Sequence, residues 1–193
     1  MQTGDLLEAS GCFMRIERAA VVALALMGVL FSSATLAARP DDTACVLPDD
    51  LQREVANRYP EAHVVSLSDL GTDDRTFFVK EHGNVCPGLS TVDFYGDGKR
   101  TIAINLVSRG AREKKASLVV AHEVDHSWTM TRIDSADLST PVVWNDKPGD
   151  YVDVYGNKKI RATRPVIVWC AYESWAILYA WNGSKVSKIW ISD

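Results

Sequence analysis

The chain has 193 residues, 47% hydrophobic and 24% charged, with 21 Lys and Arg against 25 Asp and Glu for a net charge of −4. A mixed, mildly acidic composition excludes a nucleic-acid binder, because phosphate neutralisation needs clustered positive charge. The length fits one domain with an added targeting segment.

The N-terminal stretch carries Arg15 and Arg18, an apolar run from Ala19 to Phe31, and small residues ending at Ala37 and Ala38. That order predicts a secretory signal peptide over 1–37, with Met14 as a possible true start. The run is shorter than the roughly 20 residues of a spanning helix, so no transmembrane segment is expected after cleavage. Cys12 precedes the run rather than following it, which excludes a lipoprotein anchor. The expected location is secreted or periplasmic.

Residues 38–90 read as an N-terminal helical portion. Leu51, Val55 and Tyr59 recur four apart, with Asp49 or Asp50 as cap and Pro60 as stop, which predicts a helix over 49–59. A short strand, HVVSL, follows. A second helix is expected from Thr72 as cap to His82, with Gly83 ending it. His63 and His82 fall near element ends, where histidines cap or face solvent.

Residues 91–193 read as a β-rich body. Strand texture covers 90–95, 101–107, 117–124, 129–133, 141–144, 151–155, 166–172, 175–181 and 186–192. Gly96-Asp97-Gly98, Arg109-Gly110, Pro148-Gly149 and Asn182-Gly183 punctuate the runs, the last as a hairpin signal. The basic stretch Arg112–Lys115 reads as an exposed loop. All six tryptophans lie between Trp128 and Trp190, where aromatics on strands serve packing. Beyond the signal segment stand Cys45, Cys86 and Cys170, which predict one disulfide in an oxidising compartment. The expected pair is Cys86–Cys170, since Cys45 sits near the new N-terminus.

The segment Val92–Lys99, VDFYGDGK, recurs as Val152–Lys159, VDVYGNKK. Extending the match gives two diverged repeat units, about 91–134 and 151–193. It also resembles the FG-GAP or VCBS type of repeat, whose acidic loop binds calcium, and that resemblance implies Asp93 and Asp97 as ligands. Tyr95 and Thr101 stand where further oxygen donors belong, so too few carboxylates remain for calcium and a plain β-turn accounts for the glycines.

His122-Glu123-Val124-Asp125-His126 is a literal H-E-x-x-H, and VVAHEVDHSW resembles the zinc helix of the gluzincin metallopeptidases. The resemblance implies zinc on His122 and His126, Glu123 as general base, and Glu173, Asp150 or Asp153 as third ligand. The repeat overlay opposes it. It sets His122 on Tyr179 and Asp125-His126-Ser127 on Asn182-Gly183-Ser184, which predicts a strand running into a hairpin. No nucleophile elbow, phosphate loop or dinucleotide fingerprint occurs.

The expected fold is α+β, N-terminal helices followed by an antiparallel β-rich body of two diverged β repeat units. The expected function is a binding, inhibitory or structural module of the cell envelope or exterior. It has no assignable catalytic residue or cofactor, and an unknown protein or envelope ligand is its partner. A zinc-dependent hydrolase is the alternative.

Overall fold

A computed structural model describes residues 45–108, 114–137 and 139–193. The expected signal segment, Met14 and the first half of the basic stretch at 112–115 lie outside these residues. Within them the chain is β-rich and its sheets are antiparallel.

Helix α1 (Asp49–Arg58) forms where the sequence places it, with Leu51 and Val55 buried on one side and a Glu54–Arg58 pair at 3.6 Å outside. Neither expected aspartate caps it, since the N-cap position is Pro48. Asp50 instead accepts a 2.8 Å hydrogen bond from Trp128 Nε1, which moors the helix to the sheet beneath. After the short strand β1 (Ala62–Val64), helix α2 (Thr72–His82) starts at Gly71 without a side-chain cap. It ends at Gly83, where the sequence predicts the stop, with φ of 75° and ψ of −164° in a region open essentially to glycine alone.

One sheet contains β1, β2 (Leu89–Thr91), β3 (Thr101–Ser108), β4 (Lys115–Val124) and β5 (Ser127–Asp137). Both β1 and β2 pair with the same side of β3, and the meander β3-β4-β5 completes the sheet. Strands β6 (Val142–Asp146), β9 (Val166–Ala171), β10 (Trp175–Trp181) and β11 (Val186–Ser192) form the second sheet in the order β11-β10-β9-β6. The ribbon β7 (Gly149–Val152) and β8 (Lys159–Ala162) stands apart. Strand β8 has only a weak sequence signal, since KIRA alternates polar and apolar residues over just four positions and carries no aromatic residue.

The two sheets face each other across a core that includes Phe94, Leu118, Val120, Trp169 and Tyr179, with Phe78 of α2 packed in from the side. The outer face of the first sheet is covered by Leu51 and Val55 of α1 over Ile104 and Val119. The outer face of the second is covered by Tyr151 and Ala162 of the β7-β8 ribbon over Val168 and Leu178. Central strands buried on both faces read as continuous apolar runs, which explains TIAINLV and VIVWCA.

A bulge at Ile133, opposite the Leu118/Val119 step, shifts the register of β5. Trp128 and Met130 before it face α1, whereas Asp134 beyond it turns to the inter-sheet side. There Asp134 accepts hydrogen bonds from Tyr179 Oη and Lys188 Nζ, joining the two sheets.

Cys86 is bonded to Cys45, with a Cα–Cα distance of 4.9 Å, so the expected Cys86–Cys170 bridge is not formed. The reason is positional. Leu47 and Leu51 bury against the outer face of the first sheet and carry Cys45 with them. Gly88 meanwhile pulls the Cys86-Pro87-Gly88 segment onto Val65, where an added Cβ would stand 2.3 Å from the Val65 carbonyl oxygen. Cys170 lies in the middle of the second sheet, opposite Val142 and Ala176.

Candidate functional site

The H-E-x-x-H residues lie on a β-hairpin. His122 is on β4, and Asp125 and His126 form the two-residue turn to β5 with φ of 50° and 61°. Positive φ at both central positions is the turn that matches strand twist. Side chains alternate across a strand, so His122 joins Leu118 and Val120 on the inter-sheet face while Glu123 joins Ala121 on the α1 face. The sheet therefore lies between the two side chains, and His126 is exposed at the tip.

His122 is held on every side. It stands opposite Thr101 in the β3-β4 register, and its Nδ1 is 3.0 Å from Thr101 Oγ1. Its Nε2 lies 3.1 Å from Asp97 Oδ2, and the Tyr95 ring packs edge-on at 4.6 Å. Tyr95 in turn meets Trp181 of the second sheet at 5.0 Å. A carboxylate can only accept, so Nε2 carries the proton in the neutral ring and Nδ1 accepts from the Thr101 hydroxyl. Burial opposes the charge on Asp97, but the Lys99 N–H and His122 hold its carboxyl below the ordinary value. An aspartate, histidine and threonine in series have the order of an acyl-transfer relay. Thr101 is fully buried, however, so no substrate carbonyl reaches its hydroxyl.

The third ligands implied by the zinc reading are elsewhere. Glu173 sits in the β9-β10 turn with φ of 58°, at the far end of β10 from Trp181, about 20 Å along the strand. Asp150 is on the ribbon, 3.8 Å from Arg161, and Asp153 accepts from the Lys158 N–H in the ribbon turn. Of the calcium loop, Asp93 is exposed and Asp97 is committed to Lys99 and His122. Among the described residues no group of three or more His, Cys, Asp or Glu is placed to hold a metal.

A different place gathers recognition chemistry. A cleft of about 310 Å³ opens where α2 crosses the seam between β2 and β6. Phe78, Val85, Leu89, Val143 and Trp144 give it an apolar wall; His82, Ser90, Thr91 and Asn145 give it a polar one. The His82 ring lies between Phe78 at 4.8 Å and Trp144 at 4.9 Å. Its Nε2 is buried, and no group among the described residues pairs with it. Burial lowers the His82 pKa against the field of Glu81, so the ring is neutral at pH 7. The seam itself is closed by the Val143 N–H on the Pro87 carbonyl. Asn145 Nδ2 also spans it, donating to Ser90 Oγ at 2.9 Å and to the Thr91 carbonyl at 3.1 Å.

The cleft residues were only partly legible in the sequence. His82 stands four residues after Phe78 on one helix face, which is a signal for burial beside it. The meeting of Asn145 with Ser90, fifty-five positions apart, has no sequence signal. Comparison with protein families, characterised proteins and solved structures finds no match for this chain.

Proposed function

We propose that the chain is an exported binding module of the cell envelope or exterior, without a catalytic centre, that takes its ligand in the cleft between α2, β2 and β6. The observation that carries this reading is the uncharged cleft with its aromatic stack and the partnerless His82 Nε2. Small-molecule sites combine an apolar lining with a few fixed polar groups in this way. Export is supported by the signal-like N-terminus and by the Cys45–Cys86 disulfide, a bond that persists in oxidising compartments. Two diverged repeat units are supported by the parallel between the meanders β3-β4-β5 and β9-β10-β11, each preceded by a VDxYG turn.

The test is a screen of small organic fragments by NMR, with Trp144→Ala as control. Fragments that contact the native protein and lose contact in the variant support the reading, and fragments that bind only elsewhere remove it. Zinc per chain is measured on the same untagged protein. One zinc per chain that is lost in His122→Ala would overturn the binding module in favour of the hydrolase.

A further inference from the structure

We infer that the cleft between α2 and the β2-β6 seam accommodates a neutral sugar residue, its ring against the apolar wall and its hydroxyls on His82, Asn145 and Thr91. The inference rests on the binding-module reading and names the ligand class for the same cleft.

Three properties of the lining select the ligand. At about 310 Å³ the cleft is at the small end of the range for ligand sites, which suits one ring-sized unit rather than a long chain. Among the described residues no lining side chain carries a fixed charge, so a phosphate, carboxylate or ammonium group would be desolvated there without a partner. The polar groups are fixed before binding. Asn145 Nδ2 is held by Ser90 and Thr91, leaving its Oδ1 as an acceptor, and the His82 ring is clamped between Phe78 and Trp144.

An aliphatic ligand would fill the apolar wall but cover these polar groups without offering them a hydrogen bond. A sugar ring resolves both demands at once. One of its faces presents C–H groups that pack on an aromatic ring, and its edge presents hydroxyls that donate and accept. Either tautomer of His82 then finds a partner, since a hydroxyl serves a bare nitrogen and an N–H alike.

The experiment is a titration of the isotope-labelled full chain, reading the Trp144 indole N–H and the Asn145 side-chain amide. The probes are D-glucose, D-galactose and N-acetyl-D-glucosamine, compared with cyclohexanol and D-glucuronate. Saturable shifts of both signals with at least one neutral sugar, at least tenfold weaker for the other two compounds, are expected. His82→Phe keeps the ring stack and removes the nitrogen, and it weakens the sugar about five- to tenfold. Asn145→Ala, at an exposed position, gives a second weakened variant should His82→Phe not fold.

Cyclohexanol binding as well as the sugars overturns the sugar assignment while leaving a small-molecule cleft in place. Preference for glucuronate, or no shift with any of the three sugars, overturns it as well, and the fragment screen then decides whether the cleft binds anything.

Discussion

Single residues in this protein take their meaning from which side of a sheet they occupy. His122 and Glu123 are neighbours in sequence and lie on opposite faces of β4, one toward Tyr95 and Asp97 and the other toward α1. His126 contributes a turn conformation that its side chain does not favour, with φ of 61° at the second turn position. Glycine adopts that region freely, whereas other L-residues are strained there by roughly 1 kcal/mol. His126→Gly is therefore expected to stabilise the fold by about 0.5–1 kcal/mol, measured by urea denaturation. It should leave any zinc content unchanged. A destabilised variant, or one that loses bound metal, would mean that the imidazole has a role beyond the turn.

Elements are fastened by a few long-range links that local propensity does not supply. Helix α1 is only 10 residues long and would be marginal alone. It is held by Leu51 and Val55 over the first sheet, by Asp50 on Trp128, and by the disulfide just ahead of it. The bridge closes a loop across 41 positions, for which the chain-entropy relation gives about 4 kcal/mol. Replacing both Cys45 and Cys86 by Ser is expected to lower the unfolding free energy by about 2–4 kcal/mol in chemical denaturation, mainly by freeing the unfolded chain. A loss below about 1 kcal/mol would show that the apolar contacts of α1 alone fix the N-terminal segment. The same element shows how far sequence reasoning reaches. The positions of both helices and of the main strands follow from spacing and turn residues. The caps do not, because Pro48 and Gly71 occupy the places where Asp and Thr are expected.

Across the whole molecule, stability should depend on pH in two stages. His82 is neutral in the folded chain because burial lowers its pKa, whereas the unfolded chain protonates it near the ordinary value of about 6.5. The unfolded state thus binds more protons as pH falls from 7 toward 5, and stability declines in that window. The second stage lies near and below pH 4. Burial raises the pKa values of Asp69 and Asp134, but the hydrogen bonds from His63 and Ser66, and from Lys188 and Tyr179, outweigh it and hold both carboxyls low. Stability from these groups is present above the ordinary carboxyl value and is lost as they are protonated. Asp74, raised by burial and by Glu173, works in the opposite direction and softens this stage. Melting curves from pH 3 to 8 should show both declines, with His82→Phe flattening only the upper one. An unchanged upper slope in that variant would assign the titration to another group.

What the sequence by itself determined was the local order of the chain. Apolar runs, Asn-Gly and Gly-Asp-Gly turns and the recurrence of VDxYG place the strands, and the overlay of residues 117–127 on 174–184 puts His122 on a strand and His126 in a turn. These features are local, set by the two-residue alternation of strands and by backbone preferences at turns. Only the tertiary structure decided which elements meet. The Cys45 partner, the bulge that turns Asp134 inward, and the seam where Asn145 reaches Ser90 depend on the stacking of two sheets with α2 beside them. Residues brought together from distant positions by packing leave no periodic mark in the chain. The cleft they build is therefore a property of the fold.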